Sequence, residues 1–449
     1  MDFKQCLEKL EAAGRLAHVR SEVDLKYELA GVARKFEGKQ VVVFDKIKGH
    51  GMPLAMGLWW NRDNLAHLFG VTAAELPGLF AKAVKSLHAA PVPPMVVEDA
   101  PGREVVMPAP DLTRIPVPTL ALKDGGPYFD NCVVIAKDPD TGVRNASVHR
   151  LMVSGPDRLG LLMDVGRHLR NYYERAEARG EPLEITINNG VHPAYYVAAI
   201  TPSAAAPIDV DELAVASALL GEPARLCPGL TVGVEGIADA ELIIEGEILP
   251  NVREPEGPFA EVTGYYALRD DRWVVRVKSV SHRAAPVIHS LLPGREVWNS
   301  VGLNVEANIF DTVSRQVPGL KNVHLTHGSS TYHAILQIDP PHNGMAKNAI
   351  MAAFASFYFL KMVTAVNSDV DIFDPEEVER ALATRCRPDE DIIIVPKCFG
   401  HELNPSTDDG LGAKIGFDCT YPTPKAPKFE KVSFLDVDLR QYDITGRDI

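Results

Sequence analysis

Apolar residues along this chain change their spacing three times. Near the start Phe3, Leu7 and Leu10 recur every three to four residues in FKQCLEKLEAAGRL, which predicts a short amphipathic helix. Compact apolar runs follow, VVVFD at 41–45 and a strand around MPLAMGLW, so the first ninety residues read as a small α/β unit. Nine prolines then fall between Pro91 and Pro127, too many for a continuous helix or a central strand, and the chain is expected to run extended there. From about 128 to 300 strand-like runs dominate: NCVVIAKD, NASVHRLMV, EITINNG, YYVAAI, ELIIEGEIL, WVVRVKSVSH and APVIHSLL. So many antiparallel-type strands point to a barrel or a sandwich. Two helices are expected among them, LLMDVGRHLRNYYERAEARG stopped by Gly180 and DVDELAVASALLG capped by Asp209 and stopped by Gly221. Beyond 301 helices return, followed by IIIVP and a Pro/Gly-rich tail that can cover a site or a partner subunit. The apolar stretch Ala349 to Val366 approaches the length of a membrane span, but Ser356 and Lys361 interrupt it, and a buried core or interface helix is expected. The pattern as a whole predicts a multidomain α+β chain without internal repeats.

Composition narrows the function classes. The 449 residues are 46% hydrophobic and 24% charged, an ordinary globular usage that excludes collagen-like and disordered chains. The net charge of -14 has the wrong sign for a phosphate-backbone binder, so no nucleic-acid partner is expected. Six scattered cysteines form no C-x-x-C pair and read as reduced thiols. With no apolar leader and no membrane span, the expected location is cytoplasmic.

The nucleophile elbow G-x-S-x-G, the phosphate loop G-x-x-x-x-G-K-[ST] and the metal helix H-E-x-x-H are all missing from the sequence. Three other stretches place ionisable residues where apolar ones are expected. In RNASVHRLMV, strand alternation puts Asn145, Ser147 and His149 on one face and Val148 and Arg150 on the other, although a half-exposed edge strand would look the same. In REPEGPFAEVTGYY, Glu256 and Glu261 flank a Gly-Pro turn. A solvated loop is the plain reading, yet Phe259, Val262, Tyr265 and Tyr266 make the surroundings apolar enough to desolvate a carboxyl, as a general acid requires. His168, in an amphipathic helix, and Glu212, in a first helical turn, each have an ordinary structural explanation when taken alone.

Taken together and in order, RNASVHRLM, VGRH, DVDELAVASALLGEP, IIEGEI, EPEGPFAEVTGYY, HNGMAKNAI, NSDVDIFDPEEVERALATR and the Asp418-containing GFDCT resemble the UbiD family of decarboxylases, which use prenylated FMN. The resemblance implies an N-terminal α/β region with its Pro-rich linker (1–115), a central split β-barrel like that of flavin reductases (116–300) and a C-terminal α/β oligomerisation domain (301–449). It implies that Asn145, His168 and Glu212 bind Mn²⁺ (or Mg²⁺), a ligand set of amide, imidazole and carboxylate without thiolate that suits such an ion plus phosphate. Asn145, Ala146, Ser147, Val148, His149 and Arg150 would wrap the flavin, Arg167 and His168 would flank it, Lys347 would reach its phosphate, and a K⁺ would sit near the metal. Arg150, Glu256 and Glu261 match the family's catalytic Glu-Arg-Glu set: reversible decarboxylation through an adduct with the prenylated flavin, with Glu261 donating the proton that replaces carbon dioxide.

Substrate choice rests on pocket walls. The start of WNSVGLNVEAN, with Trp298, Asn304 and Asn308, is read either as the substrate end or as a plain helix start; an aromatic or heteroaromatic monocarboxylate is favoured, because the extra cation a dicarboxylate needs has only His289, Arg295 and His327 as candidates. Two other functions stay open: a carboxylase or carboxylase subunit acting on a phenolic or heteroaromatic substrate, and a non-catalytic flavin-binding or maturation protein, against which the complete Glu-Arg-Glu set argues. The resemblance further implies a flavin prenyltransferase as metabolic partner and a homodimer or higher homo-oligomer.

Overall fold

The computed structural model describes residues 1–438 and 441, apart from 204 and 409, so the last stretch of the region expected over 301–449 lies outside the described residues. The N-terminal region packs helices on a four-stranded sheet. Its first helix, Phe3–Ala12, starts at a capping box in which Asp2 and Gln5 bond each other's backbone, and it buries Phe3, Cys6, Leu7 and Leu10. The sheet order is Leu16–Val23, Val41–Ile47, Leu54–Met56 and Ile288–His289. The last of these corrects the reading of APVIHSLL as part of the central strand set: Ile288–His289 leaves the barrel and pairs in parallel with Leu54–Met56. No α-helix forms between Pro91 and Pro127, where only two-residue strands and short 3-10 turns occur.

The centre is a closed antiparallel barrel of six strands, Leu242–Glu256, Leu183–Asn189, Tyr128–Lys137, Arg144–Gly155, Arg158–Leu161 and Asp270–His282, sealed by pairing of the first with the last. Alternation assigns successive residues to different cores. Val133, Ile135, Ala146 and Ile243 pack with the helices Pro193–Ala199 and Leu213–Leu220, while Val134, Leu151, Ile185 and Ile244 pack with His168–Glu177. Arg144–Gly155 lies between two strands and is no edge strand.

Three local expectations are corrected. YYVAAI is not a strand; it lies in the helix Pro193–Ala199, because Pro193 opens the first turn and His192 accepts the Ala194 N–H, and because complete burial erases the periodicity that tells helix from strand. Only His168–Glu177 of the longer predicted helix is helical, since Gly166 takes φ +83° and Arg167 is extended. Asp209 caps nothing: the next helix runs Leu213–Leu220 with Asp211 accepting from the Leu213 N–H, although Gly221 ends it in the left-handed conformation as expected.

The C-terminal domain opens with the helix Arg295–Gln316 and builds a five-stranded sheet ordered Leu320–Leu325, His333–Ile338, Met362–Val366, Leu411–Cys419 and Ile392–Phe399. The apolar run 349–366 is therefore not one helix. The helix Met345–Ser356 ends where Phe357 turns extended, and the β-branched MVTAV forms a central strand; both bury into the same core. Among the described residues no helix is long and apolar enough to cross a membrane.

Candidate active site

Glu256 ends the long barrel strand, in register with Asp270, and the chain turns through Gly257-Pro258 into a small hairpin of Phe259–Ala260 with Tyr266–Ala267. Glu261 begins the hairpin's turn, its N–H bonded to the Tyr265 carbonyl at 2.9 Å. Arg150 reaches both carboxylates from Arg144–Gly155. Its Nε and Nη2 stand 3.1 and 2.8 Å from the two Glu256 oxygens, and its Nη1 donates to Glu261. Gly160 leaves room for this pair, since a Cβ there would stand 3.2 Å from the Glu256 Cγ. Phe259 lies against the guanidinium at 5.1 Å. The solvated-loop reading of this stretch is excluded, because Glu256 is 0% exposed and the Glu261 side chain 12%.

Burial works against the charge of Arg150, yet Glu261 and Glu256 hold its pKa above the ordinary value. Glu261 is also raised: burial dominates, Asp164 adds to it, and Arg150 opposes. One carboxyl of the pair thus takes two charge-assisted bonds from Arg150 while the other is biased toward its protonated form.

A second group forms about 145–149. Glu212 receives the Asn145 amide at 2.8 Å and the Ala146 N–H at 3.0 Å, and His168 Nδ1 lies 3.2 Å from it. The three expected metal ligands therefore converge from a strand, a helix start and the residue before another helix. Burial raises the Glu212 carboxyl, with His168 first among the contacts opposing it. Among the described residues no three His, Cys, Asp or Glu side chains gather as a metal-binding group; here an amide would be the third ligand. The predicted alternation holds along Arg144–Gly155, where the Ser147 hydroxyl lies 3.1 Å from Asn145 Oδ1 and 3.0 Å from His149 Nε2. His149 is lowered to about 4 by burial, so a neutral ring offers Nδ1–H to the Leu162 carbonyl at 3.0 Å. Val148 is half-buried against the N-terminal core, and Arg167 is exposed.

Several expected residues lie elsewhere. Lys347 sits on Met345–Ser356 and donates to the Glu390 carbonyl. Asn304 and Asn308 donate their amides to the Val197 and Ser356 carbonyls, and the buried Asn304 Oδ1 takes no hydrogen bond. Of the cation candidates, His289 is buried on Phe3 and Asn131, Arg295 lies beside Gly38, and His327 bonds Asn299. Trp298 does reach the site, its indole N–H donating to the Val262 carbonyl beside Glu261 at 3.1 Å.

Other groups were not legible. Tyr128 donates to Glu256 at 2.8 Å. Asp164 and Arg167 act electrostatically on Tyr358 and His401 of the C-terminal domain, and Glu261 acts on Tyr332, so the site faces that domain. Only strand register and domain packing, which no local motif encodes, bring these together.

Three family models cover the chain: the 3-octaprenyl-4-hydroxybenzoate carboxy-lyase N-terminal domain over 7–84, the Rift-related domain over 95–296 and the C-terminal domain over 299–419. The chain belongs to the UbiD family of carboxy-lyases. It is similar to the structure of the UbiD-class enzyme HmfF from Pelotomaculum thermopropionicum in complex with FMN, at 42% identity and a TM-score of 0.94 over 98% of this chain and 100% of that one. An evolved dimeric HmfF in complex with prFMN gives 40% and 0.89 over 98% and 99%. The apo Klebsiella pneumoniae 3,4-dihydroxybenzoic acid decarboxylase AroY gives 33% and 0.92 over 98% of each chain. The anhydromevalonate phosphate decarboxylase of Methanothermobacter thermautotrophicus is 38% identical over 92% of this chain and 96% of its own.

Proposed function

We propose that this UbiD-family enzyme reversibly decarboxylates an aromatic or heteroaromatic monocarboxylic acid with Glu261 as proton donor. The observation that carries the reading is the buried Glu256–Arg150–Glu261 set, in which one cation holds two carboxyls of unlike environment. AroY's substrate class supports the aromatic assignment, as does Trp298 beside Glu261.

The residues fit prenylated FMN held through a divalent metal. Asn145, His168 and Glu212 offer one amide oxygen, one imidazole and one carboxylate from a buried cluster, a donor set suited to Mn²⁺ or Mg²⁺ with phosphate. Ala146, Ser147, Val148 and His149 line the strand beside them, and Arg167 lies one residue before His168. When bound, prenylated FMN supplies the electron sink for breaking the carbon–carboxylate bond. Arg150, fixed by Glu256, orients the substrate carboxylate. Carbon dioxide leaves, Glu261 delivers its proton to the carbon that carried the carboxylate, and solvent returns a proton to Glu261. A separate flavin prenyltransferase provides the cofactor. Exposed Ile394 and Phe399 on the edge strand of the C-terminal sheet, with Leu411 on the strand beside it, suit pairing with a second copy of the chain.

The test is Glu261→Gln, which keeps the shape and removes the titrating proton. General acid catalysis contributes about 10²- to 10⁴-fold, so turnover should fall by that much while flavin remains bound. Because the Glu261 carboxyl is raised by burial, wild-type turnover should persist above the ordinary carboxylate range and be lost as pH rises through its pKa, and this alkaline limb should vanish in the variant. Wild-type decarboxylation by Glu261→Gln would refute the assignment.

A further inference from the structure

Tyr128 opens the barrel strand Tyr128–Lys137 and is 1% exposed. Its hydroxyl donates to Glu256 Oε1 at 2.8 Å, the same oxygen that receives Arg150 Nε at 3.1 Å. Its ring lies 4.4 Å from Phe259, which in turn lies against the Arg150 guanidinium. Burial pushes the phenol well above its ordinary range, so it is a hydrogen-bond donor throughout the working pH range. The segment just before it holds the turn between the two glutamates. Asp124 accepts the Ala260 N–H at 2.8 Å through one oxygen and the Ala121 N–H at 2.8 Å through the other. Gly125 N–H bonds the Pro258 carbonyl at 2.7 Å, and a Cβ at Gly125 would stand 2.2 Å from the Gly257 oxygen, so only glycine allows this approach.

We propose that Tyr128 is a positioning residue for the decarboxylation: it fixes Glu256 in the orientation that holds Arg150, and through Arg150 it sets the place of Glu261. A glutamate side chain has three rotatable bonds, and Arg150 alone would follow any carboxylate position that kept both bonds. The Tyr128 hydroxyl, anchored on the barrel strand and braced by Phe259, removes that freedom. The same segment ties the Gly257–Ala260 turn by backbone, so the spacing of the two carboxyls is set from one stretch of chain, 124–128. The charged and titratable groups around Glu256 are Arg150 and Tyr128, with Asp124 and Glu261 across Arg150; Asp270, opposite in the strand pair, is exposed.

The inference rests on the Glu256–Arg150–Glu261 reading and is tested beside it. Tyr128→Phe keeps the ring against Phe259 and removes the donor. Prepared as prenylated-flavin holoenzyme, it should bind flavin and substrate as wild type does, with kcat lower by about 10- to 100-fold, the effect of losing a hydrogen bond to a charged group. KM and the alkaline limb of the pH–rate profile, which belongs to Glu261, should stay in place. Hydrogen–deuterium exchange at the product carbon should fall in step with kcat. Unchanged kcat in Tyr128→Phe, with Glu261→Gln inactive, would overturn the positioning role and leave the proton-donor reading standing. A loss of rate accompanied by flavin release, a raised KM or a collapsed melting temperature would also overturn it, since that marks packing alone. Full activity in Glu261→Gln would defeat the reading beneath it.

Discussion

Glu256 and Glu261 share one arginine but not one environment. Glu256 is enclosed by Arg150 and the Tyr128 hydroxyl, whereas Glu261 sits on a hairpin turn facing the C-terminal domain and feels the charge of Asp164. That asymmetry underlies the proposed division of labour, in which Glu256 holds the arginine and Glu261 donates the proton. At the second group Glu212 is the hub, contacted by the Asn145 amide and by His168 Nδ1. His168→Ala removes the only imidazole among the proposed ligands. Protein purified with Mn²⁺ present should then retain about 10- to 100-fold less flavin affinity, read from the bound-flavin absorbance. Full retention would remove His168 from the metal set.

The helix Arg295–Gln316 ties the three regions together. Its Glu296 accepts the Gly57 and Leu292 N–H groups at 3.0 and 2.8 Å, and its Asn299 bonds the Trp59 carbonyl at 2.8 Å. Farther along, buried Glu306 takes a bidentate pair from Arg62 at 2.7 and 2.8 Å and the Leu325 N–H at 2.7 Å, joining the N-terminal region to the C-terminal sheet. Burial alone would raise this carboxyl, but Arg62 and His324 bring it down to about 2. A lowered carboxyl contributes stability above its unfolded value, and that stability is lost as pH falls toward 2. Arg62→Met strands the charge and should cost about 3–5 kcal/mol, seen as a lower urea midpoint; Arg62→Met/Glu306→Leu should recover most of it. If the double variant is no better than the single, the charge is not the cause. The elements of this helix type were only partly legible. Phe3–Ala12 announced itself by spacing, but in PAYYVAA complete burial removed the polar residues that mark a period, and in 349–366 apolar residues run on from a helix end into a strand.

For the whole molecule, the run of strand-like segments pointed to a barrel or a sandwich, and the motifs in order carried the family and with it the central barrel of an α+β chain. The Glu-Arg-Glu set was legible because its members sit in two recognisable stretches, and the structure closes them to hydrogen-bond distance. Tyr128, Asp124 and Asp164 were not, because each acts across the barrel end through a register that short stretches do not encode. Lys347 shows the converse: a matching motif whose side chain bonds within its own domain.

The central claim is that these residues perform decarboxylation that depends on a prenylated flavin. The direct measurement is carbon dioxide release from a panel of aromatic and heteroaromatic acids, using the full chain produced with and without a flavin prenyltransferase. Release is expected from at least one acid only when the transferase is present, with recovery of activity when inactive protein is reconstituted with prenylated FMN. Equal release from protein carrying unmodified FMN alone would contradict it.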